Sequence, residues 1–406
     1  MAGLLGGATP SSASLRDQPE LFFQPGPEAP KDLSATRLYP QGKRFPFALP
    51  LPVEGKQKAE CERLGVVLFD ATKTGPVDPE EGLFTATGVG LVRASEEMVF
   101  TDPDEVTRQV AAQVTAAAEN PKIAFWNLLP GAIRFREKRE MAYLKAASRA
   151  IEHNDPLKRP IWTWLPPEAN TAYLAHIAPW VGYLGKALQP PVTAQERSRI
   201  WFRWAVERAV EAIHEVDAEA TPVAVPVAPD ASSHDDAGRI ATQVRHDLYL
   251  SLITGARGVI AIAPAQPAGL PEQEAFRNAC LRVASELSGT EKLGEAFLFG
   301  ERREQIEVDV VEGPAEVELF YPEGGVRKPL AYHSVSFVDL ACGKERFLVL
   351  VNSAMEPVTL MIGGMPYAAV RAETLFESHP AMDVAEGEFE AELQPLEVRI
   401  YRMTRR

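Results

Sequence analysis

The spacing of apolar residues changes once along this chain, from a helical to an alternating period, near residue 295. Before that point, short apolar runs predict strands at residues 45–49, 65–70, 89–92, 122–129, 159–165, 180–185, 221–227 and 259–262. Segments of helical period separate them. Val106, Val110 and Val114 form one stripe. Met141, Leu144, Ala147 and Ile151 form a second. Val206, Val210 and Ile213 mark a third, and Ile240, Val244, Leu248 and Leu252 a fourth. Phe276, Cys280, Val283 and Leu287 mark the last. Asp102, Pro103 and Glu105 read as an N-cap, a first-turn proline and a capping box, and Thr193 with Glu196 reads as another box. Gly255 and Gly258 supply the tight link from the fourth of these helices to the strand at 259–262.

Eight strands alternating with eight helices over about 250 residues predict an α/β fold, a (β/α)8 TIM barrel. A doubly wound sheet would carry a Gly-rich phosphate turn, and Gly88-Val89-Gly90 lacks the third glycine and opens no helix. Beyond 295 the alternating runs 305–311, 315–320, 334–339, 346–351, 357–362, 374–376 and 397–402 predict an all-β sandwich domain. Gly324-Gly325 and Gly363-Gly364 mark its turns. The expected organisation is a flexible Pro/Gly-rich arm at 1–36, the barrel at 37–292 and a C-terminal β-sandwich at 293–406. Leu21-Phe22-Phe23 interrupts the arm, three large apolar residues that dock on the parent domain or reach a neighbouring subunit.

A formal charge of −14 argues against nucleic acid and anionic membrane as partners. No apolar run reaches the length of a transmembrane segment. Cys61, Cys280 and Cys342 are isolated, which fits neither a disulfide framework nor a zinc site. The first residues have no basic start and no sustained apolar stretch, so no signal peptide is read and the cytoplasm is the default location. No cofactor motif is present.

Barrel chemistry belongs at the carboxyl ends of the strands. Those ends carry Asp70, Trp126 and Asn127, Trp164 with Glu168 just beyond, and Asp230 followed by His234. Tyr183 lies on the sixth strand. Aromatic rings beside carboxylates and amides suit a sugar: the ring stacks on its apolar face and the polar groups take its hydroxyls. Core packing is the competing use of each tryptophan. Arg245-His246-Asp247 lies within a helix, where neighbouring side chains diverge, and reads as polar contacts rather than a triad. His234-Asp235-Asp236 is too small a loop cluster to define a metal site, and one of its acids suits a helix N-cap.

The Gly255-Ala256-Arg257-Gly258-Val259 turn resembles glycoside hydrolases of the clan A type and their bacterial relatives. So do Arg245-His246-Asp247-Leu248-Tyr249-Leu250, the strand Phe347-Leu348-Val349-Leu350-Val351-Asn352-Ser353, and the last strand around Leu393-Gln394-Pro395-Leu396-Glu397-Val398-Arg399-Ile400-Tyr401. The resemblance spans roughly residues 37–406 and implies two carboxylates flanking the scissile bond. It places an Asn-Glu pair at the end of strand four and a Glu at the end of strand seven. Here Asn127 is followed by Leu128, and strand seven ends at Asp230, whose side chain is shorter by about 1.5 Å. The usual catalytic acid is therefore absent, and Asp70 with Asp230 is the pair left to act across the mouth. The sequence predicts a glycoside hydrolase-like protein with degenerate or atypical catalytic residues that binds carbohydrate. The alternative is an inactive barrel serving as a structural or assembly subunit through its arm and sandwich, by self-association or with a protein partner.

Overall fold

The computed structural model describes residues 19–30, 45–50, 55–69, 88–92, 102–120, 123–128, 138–165, 170–188, 199–229, 236–262, 270–320, 329–367, 370–377, 381–384 and 386–405. They divide into two compact units. One holds the described residues within 30–294 and 318–332, the other those within 1–29, 295–317 and 333–406.

The first described element, α1 (Pro19–Phe22), belongs to the second unit. The barrel unit follows as β1 (Phe47–Pro50), α2 (Gly55–Leu64), β2 (Val67–Phe69), β3 (Gly88–Val92), α3 (Pro103–Ala117), β4 (Ile123–Leu128) and α4 (Lys138–Asn154). It continues as β5 (Ile161–Leu165), α5 (Ala172–Ile177), β6 (Tyr183–Leu188), α6 (Trp201–Glu215), β7 (Thr221–Pro222, resumed at Val225–Pro226), α7 (Ala237–Thr254), β8 (Val259–Ile260) and α8 (Pro271–Ser288). A described helix follows every strand except β2.

The described pairings among β1–β8 are all parallel. They run β2–β1–β8 and β3–β4–β5–β6–β7. Single bridges from Ala224 to Val259 and from Val227 to Ile262 join β7 to β8, and β2 lies beside β3, so the strands follow one another around a barrel. Pro222 and Pro226 each lack an amide donor, which is why the seventh strand is present only as two short pieces. Gly185 lets β6 approach β7, since a Cβ there would lie 2.4 Å from Val225 Cγ2.

Side chains alternate across the wall. Ala48, Val67, Phe125, Trp162, Tyr183, Val223, Val225 and Ile260 form the interior cluster. Ile123, Trp126, Leu128, Ile161, Leu165 and Leu184 instead meet the helix stripes of Val106, Val110, Val114, Leu144, Ala147 and Ile151. Two helix starts depart from expectation. Asp102 caps α3 by accepting from the Asp104 amide at 2.8 Å, but Glu105 closes no capping box. It accepts from Gln109 at 2.7 Å and pairs with Arg108, partners one turn ahead on the same exposed face. α6 starts at Trp201, and Thr193 and Glu196 lie outside the described residues.

The second unit is a β-sandwich. Its larger sheet is ordered β9 (Glu301–Arg303), β13 (Val335–Cys342), β14 (Glu345–Asn352), β19 (Val398–Arg405), β16 (Val370–Thr374), β17 (Met382–Asp383). The smaller is β10 (Glu307–Glu312), β15 (Val358–Gly363), β18 (Phe389–Leu393). β11 (Glu316–Phe320) pairs separately with β12 (Pro329–His333), and most residues of this pair belong to the barrel unit. Leu348, Leu350, Leu360, Ile362, Leu393 and Met403 fill the space between the two sheets. Of the strands expected from alternation, 374–376 is displaced. The chain is extended over Val370–Thr374, and Phe376 turns to a φ of 66°, outside strand geometry. Gly364 has a φ of 83° and makes the expected turn, whereas Gly324-Gly325 lies outside the described residues. Residues 19–28 are ordered against this sandwich. Phe22 is fully buried in its core, and Gly26 and Pro27 pair with Gly343 in two backbone hydrogen bonds of 2.8 Å.

Among the described residues, no helix is long and apolar enough to cross a membrane. Cys61, Cys280 and Cys342 are buried, and none forms a disulfide among the described residues.

Candidate functional site

Asn127 and Trp164 are brought together at the carboxyl ends of β4 and β5. Asn127 pairs in register with Trp162, and Trp164 lies two residues further along the same face of β5, making the two diagonal neighbours. Asn127 alternates with Phe125 on the interior face, while Trp164 is half-buried and packed on the interior cluster. Asn127 is 3% exposed, and its Oδ1 has no hydrogen-bond partner among the described residues. A buried amide oxygen left without a donor costs about 1–3 kcal/mol.

Trp126 and Tyr183 do not stand at the mouth. Trp126 faces the helix layer, where its indole N–H donates to Asp155 Oδ2 at 2.7 Å and the Arg159 guanidinium lies 4.8 Å from its ring centre. Arg159 also donates from Nε to Asp155 at 2.9 Å and from Nη1 and Nη2 to the carbonyls of Asn120 and Ala118. Burial pushes the Asp155 carboxyl up, but the hydrogen bonds from Arg159 and Trp126 outweigh it and hold the group below the ordinary carboxylate range. Tyr183 begins β6, deep in the barrel, and packs edge-on against Phe125 at 6.0 Å. Phe125 in turn packs edge-on against Trp162 at 5.8 Å, so the three rings plug the interior below Trp164.

Asp70, Asp230, Glu168 and His234 lie outside the described residues. Among the described residues, no His, Cys, Asp and Glu side chains gather as a metal site would require.

Two features of this region escape a reading of strand ends. Trp201 opens α6 on the carboxyl-end side of the barrel. It is buried, its Nε1 has no partner among the described residues, and its ring lies 4.0 Å from that of Phe202. Its position on a helix, rather than at a strand end, hid it. The second is polar. His246 and Asp247, expected to diverge on α7, meet at 2.8 Å between Nδ1 and Oδ1, and Arg199 pairs with the same carboxylate. Successive residues on a helix are separated by about 100°, yet an imidazole is long enough to reach the adjacent carboxylate. Arg245 does point elsewhere, to Glu286, which also accepts from the Tyr249 hydroxyl at 2.8 Å.

A cavity of about 530 Å³ opens at the other end of the barrel, where Asp155, Pro160, Gly182 and Thr221 precede or begin β5, β6 and β7. It is far along the strands from Asn127 and Trp164 and belongs to a different face.

No protein-family model matches the chain, and no curated protein matches it. Among solved structures, a protein named only as a glycoside hydrolase superposes with a TM-score of 0.50 at 11% identity, over 89% of this chain and 92% of that one. Two others superpose less closely. The alpha-amylase of Geobacillus thermoleovorans, complexed with acarbose, has a TM-score of 0.45 at 8% identity over 87% and 82% of the two chains. A GH30 endoxylanase of Clostridium papyrosolvens has 0.42 at 11% identity over 95% and 98%. The chain has a glycoside hydrolase-like fold, a (β/α)8 barrel followed by a β-sandwich.

Proposed function

We propose that this chain binds carbohydrate at the carboxyl end of its barrel and carries a degenerate or atypical catalytic set. One observation carries the reading: the buried Oδ1 of Asn127, without a partner among the described residues, on the interior face beside the half-buried ring of Trp164. A sugar hydroxyl is the donor such an oxygen lacks, and an indole face is what a pyranose stacks on. The name of the solved glycoside hydrolase it resembles in fold agrees with this ligand class.

Any hydrolysis falls to Asp70, which follows the last residue of β2, and Asp230, which follows β7 in the chain. One acts as acid and the other as base or nucleophile. Asp70 is also suited to cap the chain segment after β2, and Asp230 to form an Asx turn, so binding and turnover need separate tests. Isothermal titration against a panel of oligosaccharides, with Trp164→Ala as control, tests binding. Saturable binding weakened about tenfold or more by the substitution supports the reading, and identical heats for both proteins would remove it. Asp230→Asn should abolish turnover while leaving binding intact, and retained turnover would clear Asp230 of any catalytic role.

The assembly reading drew on the amino-terminal arm. Its residues Glu20, Phe22, Gly26 and Pro27 are engaged by sandwich residues of the same chain, so the arm lends that reading no support, and the missing strand-four acid is what remains in its favour.

A further inference from the structure

The amino-terminal segment binds the sandwich as a peptide ligand binds a receptor. Phe22 is inserted among core residues of both sheets, including Leu350, Ile362 and Met403. The Arg346 guanidinium lies 3.5 Å from its ring centre and donates to its carbonyl oxygen. Arg303 donates to the same oxygen at 3.4 Å. Arg346 is itself fixed by Asp339, with Nε 2.9 Å from Oδ1 inside the sandwich. That pairing holds the guanidinium in place over the Phe22 ring. Phe23 stacks edge-on against Phe22 at 5.0 Å, under Arg405, and Arg405 also pairs with Glu20 at 2.9 Å. Gly26 admits the closest approach. A Cβ there would lie 2.1 Å from the Ala341 carbonyl oxygen, so only glycine fits beside β13.

Side-chain pocket, backbone pairing and opposite charge are the three parts of a peptide-recognition site. We propose that the sandwich carries a peptide-binding groove, lined by Arg303, Arg346 and Arg405, that recognises an acidic-x-aromatic-aromatic segment. Its occupant here is residues 19–28 of the same chain. The segment completes the sandwich from outside its sheets, through its own contacts and not through its covalent connection. A separate peptide of the same sequence therefore takes the same place, without the effective concentration that the covalent connection supplies.

The test uses the full chain with a protease site inserted between Pro30 and Phe45. The folded protein is cleaved, then unfolded and refolded with an excess of a fluorescent peptide of residues 19–30. The labelled peptide is expected to co-elute with refolded protein and to saturate at one per chain. Refolding without peptide should lower the thermal midpoint or fail. A Phe22→Ala peptide should bind at least about 100-fold more weakly. An Arg346→Met protein should lose most of its affinity for the unaltered peptide. The proposal is overturned if the labelled peptide does not associate, if the Phe22→Ala peptide associates equally well, or if the cleaved protein sheds its segment with no change in thermal midpoint.

Discussion

Trp126 and Asn127 are neighbours in the chain, yet they face opposite sides of the barrel wall. The indole of Trp126 bonds Asp155 in the helix layer, while the amide of Asn127 faces the interior with its oxygen unpaired among the described residues. The strand's period of two separates a residue that holds the fold together from one that weakens it. Such a loss of stability is what the proposed binding role of Asn127 would account for.

Asn127→Leu should therefore raise stability and remove binding together. The leucine leaves no unpaired oxygen, so urea unfolding should show a gain of about 1 kcal/mol. Titration with any oligosaccharide that the native protein binds should show no saturable heat. A less stable variant that still binds would place the amide in a structural role.

Asp155→Asn should be among the costliest single changes in the barrel. It leaves Arg159, which is 3% exposed at its side chain, buried without its counter-charge, and such breaks cost about 3–5 kcal/mol. The pH dependence follows from the depressed carboxyl. The native protein holds this stabilisation above the ordinary carboxylate pKa near ~4 and loses it as the pH falls through the lower, folded value. The gap in unfolding free energy between native and variant protein should be full at neutral pH and shrink below about pH 4.

His246 should make the fold sensitive to mild acid. Burial lowers its pKa, against the opposing pull of Asp247. A group whose folded pKa is depressed stabilises above its unfolded value, about 6.5, and ceases to as the pH falls. The thermal midpoint of the native protein should drop between pH 8 and pH 5, and His246→Gln should flatten that part of the profile. An unchanged slope in the variant would assign the acid sensitivity to other groups.

Gly185→Ala should destabilise by overpacking. The new Cβ would meet Val225 Cγ2 at 2.4 Å and the Val223 carbonyl oxygen at 2.6 Å. Prising β6 from β7 should cost about 1–3 kcal/mol in chemical unfolding, with Trp164 fluorescence reporting the shift of the neighbouring strand.

The sequence alone determined the architecture. Strand and helix periods are local properties of the chain, so eight apolar runs separated by amphipathic stripes were enough to specify a barrel, and the switch to alternation was enough to specify a sandwich. Local chemistry also determined ends such as the Asp102 cap and the proline break in β7. What the tertiary structure decided was the direction and partnership of individual side chains. Trp126, Trp164 and Tyr183 are alike as aromatic residues on barrel strands, but one braces the helix layer, one stands toward the mouth and one plugs the core. Which face a strand residue takes depends on a register that is set by residues far away in the chain. Distance in sequence likewise hid the partners of Phe22, because Arg303 and Arg346 lie more than two-thirds of the chain away. No local pattern encodes a contact whose two halves meet only after the chain has folded.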